Sequence, residues 1–271
     1  MDPIASRVPY LLDNAGAEAP ARLTALAAMF DPGTIRHLES RGVGPGWHCL
    51  EVGGGGGSVA AWLATRVGPT GHVLVTDIDP RFLEALDLPN LEVRCHDIAT
   101  DPLPESAFDV IHVRLVLNHL LEPARVLARL RAALKPGGWL VAEEFDSESM
   151  PPDPTASSGE LLLRTQVAMG RVMAERGFDR RFGRRLFAHL RAQGLADVGA
   201  EARLFMVQGG SAGADLVRSN CEQLRSAMID AGYVTAREID QDLGRLTEPQ
   251  FVMPSSIMWA AWGRRMAEDR E

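Results

Sequence analysis

At 271 residues, with 46% hydrophobic and 24% charged positions, the chain has the composition of an ordinary globule, which excludes disorder and leaves room for one α/β domain with insertions. A formal net charge of −8 argues against nucleic acid as a partner, because phosphate binding needs a net or local positive field, and favours a small molecule. Cys49, Cys95 and Cys221 form no CxxC pair and no metal-type histidine spacing accompanies them, so neither disulfides nor a metal is expected, and the reduced cytoplasm is the default compartment. No basic leader precedes an apolar run and no stretch has some 18 consecutive apolar residues, so no membrane segment is expected.

In chain order, residues 1–42 read as an N-terminal helical cap, with a helical pattern over 10–41 broken at "DPGT" (31–34). Residues 47–145 alternate short apolar runs with helical spacing, the pattern of βα units on a parallel sheet. The predicted strands are "WHCLEV", "HVLVTD", "LEVRCH", "FDVIHV" and "WLVAEEF", and the predicted helices lie at 58–67, 81–87 and 123–134. The last of these opens with a proline and stops at "KPGG". A proline- and serine-rich connection (147–159) then leads to helical patterns at 160–176 and 184–193. A sixth strand is predicted at 202–210, more helix at 214–246, and a seventh strand at 255–265. Segments 146–201 and 211–250 read as helical lid segments that bind substrate, all within one domain spanning 1–271. A homodimer is the assembly left open.

The stretch "LEVGGGGGSVAAWLA", from Leu50 to Ala64, turns a strand into a helix through five glycines. Such a turn admits positive φ and close approach of a ligand. A dinucleotide fingerprint would need a third glycine where Ser58 stands, and a Walker loop would need GKS or GKT, so a nicotinamide-dependent oxidoreductase is disfavoured. Glu51, directly before the loop, would repel a pyrophosphate and attract a cation.

With that acid and the alternating Gly53, Gly55 and Gly57, the sequence resembles the class I S-adenosylmethionine-dependent methyltransferases, whose core looks closest to the ubiquinone and menaquinone methyltransferase type. S-adenosylmethionine carries a sulfonium and an ammonium but no phosphate. The resemblance implies a Rossmann-like three-layer sandwich with a seven-stranded, mostly parallel sheet of order 3-2-1-4-5-7-6, the last strand antiparallel. It implies that Asp77 holds the ribose hydroxyls, that Ile78 and Asp79 flank the adenine, and that Asp97 and Ile98 recognise its amino group; a turn-capping role is the other reading of Asp97. The motifs "FDVIHVRLVLNHL" and "LKPGGWLVAEE" complete the ordered set over 47–145.

Arg114 and Asn118, in the loop after the fourth strand, are placed to touch the methionine carboxylate or the substrate, and Tyr10 reads either as packing of the cap or as an aromatic that closes over the sulfonium. His119, in the same loop, is the candidate general base, with a loop-fixing role as its rival. His112 reads as core, as do Trp259, Trp262, Met253 and Met258. The arginine-rich "GFDRRFGRR" (177–185) reads as a solvated helix start, with an anionic substrate group as the other reading. The expected function is methyl transfer to a small, largely apolar acceptor in secondary metabolism, with O-methylation placed first and N- or C-methylation open. The alternative is a fold that binds the cofactor yet catalyses cyclisation or hydroxylation.

Overall fold

The computed structural model describes Leu12 and residues 14–148 and 164–266. The chain enters through α1 (Ala19–Ser40), followed by β1 (His48–Val52), α2 (Ser58–Val67), β2 (His72–Asp77), β3 (Leu91–Cys95), β4 (Phe108–Arg114), α3 (Pro123–Ala133) and β5 (Leu134–Asp146). The second half holds α4 (Arg164–Glu175), α5 (Phe182–Ala192), β6 (Ala196–Arg203), β7 (Met206–Gln208), α6 (Ala212–Asp230), α7 (Ala236–Arg245), β8 (Val252–Pro254) and β9 (Ile257–Arg264).

Seven strands form one sheet in the order β3-β2-β1-β4-β5-β9-β6, parallel except that β9 runs antiparallel to both its neighbours. This is the expected order, with β9 as the seventh strand. The period-two alternation of the central strands sorts residues between the two faces. Leu50, Ile111, Val113 and Leu140 meet Leu127 and Leu130 of α3 and Phe182 and Leu186 of α5. The intervening Cys49, Val110 and Val141 meet Leu38 of α1 and Val59 and Leu63 of α2. A third cluster lies off the sheet, where Val172 of α4, Cys221, Leu224 and Met228 of α6 and Ile239 and Leu243 of α7 pack together as a helical cap.

Three expectations are corrected. The helix α1 is unbroken through Pro32, although a proline inside a helix removes one hydrogen bond and typically costs about 3 kcal/mol. Tertiary contacts offset that cost: Phe30 and Leu38 are buried, and Asp31 and Thr34 are both held by Arg114. The helix expected at 81–87 is a single 3-10 turn, Pro80–Phe82, capped by the Asp79 side chain. The sixth strand lies at Ala196–Arg203 rather than 202–210, and Met206–Gln208 instead pairs with β8 in a separate two-stranded ribbon. "ADVGAEAR" has little β propensity, and the strand forms because Gly199 leaves room for the Trp262 indole, which a Cβ would meet at 2.6 Å. Among the described residues no helix is long and apolar enough to cross a membrane.

Candidate functional site

At the carboxyl ends of β1, β2 and β4, where open α/β sheets bind their ligands, lies a cavity of about 940 Å³. Its floor is the glycine loop. Gly53, Gly55 and Gly57 take φ of 71°, 52° and 81°, a region that side chains rarely adopt. The Gly53 and Gly54 amides donate to the Thr76 carbonyl at 2.8 and 3.0 Å, and the Gly55 amide donates to Asp77 Oδ2 at 2.9 Å. A Cβ on Gly53 would overlap Val116 after β4, so the absence of a side chain lets the loop lie against that turn.

Glu51 and His112 are level with each other on paired strands, and Glu143 stands on the same face of β5. The His112 ring is wholly buried and donates from Nδ1 to Glu51 Oε2 at 2.6 Å and from Nε2 to Glu143 Oε2 at 3.2 Å. Burial alone would depress its pKa, but the two carboxylates raise it to about 9, so the ring is an imidazolium. Glu143 is held ionised against its burial by His112, Arg114 and the Thr34 hydroxyl, which donates to it. Arg114 in turn donates to Asp31 and to Thr34, each at 2.9 Å. A buried chain of charges therefore runs from the cavity floor to α1.

The Asp77 carboxylate is pushed up by burial and pulled down by the backbone amides of Asp79 and Gly55. Two amide bonds leave further lone pairs on its oxygens for a diol. Ile78 beside it is 50% exposed and lines the cavity, while Asp79 also lines it and pairs with Arg81. Asp97 lines the cavity and accepts the Ala99 amide at 2.9 Å, so the turn-capping geometry and the cavity position coexist. Ile98 is buried in the core beneath α3 and also borders the cavity.

Asn118 is 1% exposed, and neither its amide nitrogen nor its oxygen has a partner among the described residues, although the residue borders the cavity. Two unmet polar atoms at such a place cost about 1–3 kcal/mol each, a cost that a ligand able to engage them would relieve. His119 beside it is kept neutral by burial and then by Arg22, its pKa pushed down to about 4, with its ring 4.9 Å from that of Phe178. Tyr10 lies outside the described residues.

Besides Glu143 and Thr34, the sequence reading missed Glu144, Arg22 and the methionines of α4. Glu144 accepts the Val116 and Leu117 amides at 2.9 and 2.6 Å and shapes the turn that carries Asn118 and His119. Burial pushes its carboxyl up to about 8. Its signal was the adjacent acid pair in "VAEEF": one of two neighbouring acids in a buried strand must face each side. Arg22 of α1 and the Met169 and Met173 side of α4 also border the cavity, and no motif marks them.

A family model described as a methyltransferase domain matches residues 50–140, which hold every one of these floor elements except α1 and Glu143–Glu144. Over residues 50–140 the chain is thus similar to the class I S-adenosylmethionine-dependent methyltransferases. The cofactor of that family is S-adenosylmethionine, and the chemistry of the Asp77 carboxylate, the glycine turn and the Glu51 carboxylate suits it. Among curated relatives, the ubiquinone/menaquinone biosynthesis C-methyltransferase of Ralstonia nicotianae is 36% identical over 120 residues, 42% of this chain and 49% of that protein. Methyltransferase str2 of Strobilurus tenacellus is 35% identical over 148 residues, 53% of this chain and 51% of its own. The chain thus spans about half the length of these relatives. A Haemonchus contortus phosphoethanolamine N-methyltransferase 2, solved with S-adenosylhomocysteine, shares the fold with a TM-score of 0.60 at 12% identity, covering 98% of this chain and 62% of that one.

Proposed function

We propose that this protein transfers the methyl group of S-adenosylmethionine to a small, largely apolar acceptor. The observation that supports this reading is the continuity of the cavity. It runs from the glycine loop and Asp77 to a wall of Phe145, Met169, Met173 and Leu216, contributed by β5, α4 and α6. The helical part of that wall lies beyond the residues that the family model matches. The acceptor is therefore a matter for the cap of this chain, and the quinone precursors named for a relative do not carry over with the core.

In this reading Asp77 holds the ribose hydroxyls, Ile78, Asp79, Asp97 and Ile98 surround the adenine, and Glu51 with the glycine turn faces the methionine half. Bound there, the cofactor supplies an electrophilic methyl carbon. The protein's part is alignment and exclusion of water, which methyl transfer needs most. Asn118 offers an unpaired amide to cofactor or acceptor. His119, neutral near pH 7, receives the hydroxyl proton in an O-methylation: an oxygen that has gained a methyl group is strongly acidic, so even a weakly basic imidazole takes its proton. One catalytic domain, secondary metabolism and a cytoplasmic setting complete the proposal, the last supported by free Cys49, Cys95 and Cys221.

Calorimetric titration with S-adenosylmethionine, S-adenosylhomocysteine and NAD tests the first step. The first two are expected to bind, NAD is not, and Asp77→Ala is expected to weaken binding of both by 10-fold or more, roughly the worth of a charge-assisted hydrogen bond. Acceptors are then screened for a gain of one methylene in mass; a product of unchanged mass with the cofactor intact would instead favour the cyclase reading.

A further inference from the structure

The arginine-rich stretch at 177–185 divides in the fold. Arg181 pairs with Glu148, Arg184 with Asp146 and Arg185 with Asp179. Arg180 differs: it borders the cavity, and among the described residues the one acceptor of its side chain is the Ser147 carbonyl, 3.2 Å from Nη2. Its Nε is buried without a partner among the described residues. In a chain with 36 acidic and 28 basic residues, a half-buried guanidinium with no carboxylate beside it is unusual. Glu148 also borders the cavity, but it is engaged by Arg181.

The side chain is also held in place. The Ser147 amide donates to the Arg180 carbonyl at 3.0 Å, so the residue is tied to the end of β5 at both backbone and guanidinium. On its other side lies Gly170 of α4, where a Cβ would stand 2.9 Å from the Arg180 Cζ and 3.0 Å from its Nε. The missing side chain at position 170 is what gives the guanidinium its seat. Two further lining cations have no carboxylate partner among the described residues, exposed Arg176 and buried Arg22, whose guanidinium donates to the Leu12 carbonyl and to Asn14 Oδ1, whereas Arg114 and Arg125, also on the lining, pair with Asp31 and Glu122.

We propose that Arg180 is a specificity residue, selecting an acceptor that carries a carboxylate on an apolar body. The planar fork of a guanidinium matches a carboxylate, and a guanidinium seated without a carboxylate of its own favours an anionic group in the cavity. Met169, Met173 and Phe178 provide the apolar wall beside it. This rests on the reading of the cavity as a methyl-transfer site, and deepens it by naming the acceptor class.

The test uses the full chain loaded with S-adenosylhomocysteine and titrated with para-hydroxycinnamate, octanoate and the methyl ester of each. At least one acid is expected to bind about 10-fold or more tightly than its own ester. Arg180→Gln is expected to abolish that difference and Arg180→Lys to keep part of it. Gly170→Ala, which displaces the guanidinium without removing it, is expected to weaken the acid alone, and Arg185→Gln, whose partner Asp179 lies off the lining, to change nothing. Esters that bind as well as acids, a preference that survives Arg180→Gln, or failure of all four probes to bind the loaded protein would each overturn the proposal. Failure to bind S-adenosylhomocysteine would instead overturn the methyltransferase reading, so the two failures are distinguishable.

Discussion

A protonated histidine between two carboxylates makes one buried ring decide the charge of the cavity floor. Because folding raises the His112 pKa from 6.5 to about 9, its stabilising contribution is complete below about pH 6.5 and is lost as the pH climbs through 9. The melting temperature of the protein relative to His112→Gln is therefore expected to decline across that window. At pH 6 the substitution, which leaves Glu51 and Glu143 buried without their counter-charge, should cost about 3–5 kcal/mol. An equal difference at pH 6 and pH 9 would show that the ring is neutral. Glu144 gives the complementary case. Its folded pKa of about 8 lies above the ordinary 4.5, so the fold binds the proton more tightly than the open chain does, and stability is lost as pH rises from 4.5 to 8. Glu144→Gln keeps a carbonyl for the Val116 and Leu117 amides and removes the ionisation, so urea unfolding at pH 8.5 should find the variant more stable than the parent. The sequence placed Glu51 and Asp77 correctly at strand ends. It left His112 as core because the ring acquires its partners only when β1, β4 and β5 lie side by side, a relation between strands that no single stretch of residues contains.

At the level of elements, the turn from β1 into α2 is the most exacting. Its Gly53 combines a φ of 71° with a neighbour, Val116, already in the space a methyl group would take. Gly53→Ala is expected to destabilise the protein by about 1–3 kcal/mol in urea titration and to weaken S-adenosylhomocysteine binding as the turn shifts. Unchanged stability would mean that Val116 moves aside freely. This turn was legible because its requirements are local: positive φ calls for glycine, and the strand and helix on either side have clean periods. The five central strands, α2 and α3 were legible for the same reason. Where the reading failed, a distant partner decided the outcome. The Asp31 and Thr34 contacts with Arg114 carry α1 across Pro32, and Trp262 makes a strand of residues around Gly199 that have no preference for one. In the other direction, "RFLEALD" has a helical period, yet the chain there is occupied by the capped turn at Asp79 and by Leu83 packing under the sheet edge, so only a single 3-10 turn forms.

For the molecule as a whole, the separation of the hydrophobic clusters has a functional consequence. The sheet and its flanking helices carry the cofactor half of the cavity, whereas α4 and α7 pack on α6, which in turn lies on α1. Regions with their own cluster and few ties to the main core open at lower free energy than the core does. A buried polar tie joins α7 to α4 in this cap: the Asp242 carboxylate accepts both the amide and the hydroxyl of Thr165, at 3.0 and 3.3 Å. Asp242→Ala leaves the Thr165 donors unmet, at a cost of about 1–3 kcal/mol that falls on the cap rather than on the sheet. Hydrogen exchange is expected to accelerate in α4 and α7 while β1, β4 and β5 keep their protection. Affinity for S-adenosylhomocysteine should stay within about twofold, because no cofactor-facing residue moves, while KM for the acceptor rises as the Met169 and Met173 wall loosens. If exchange instead accelerated equally in sheet and cap, the two would be one cooperative unit, and acceptor exchange would then have to proceed without local opening of the helices.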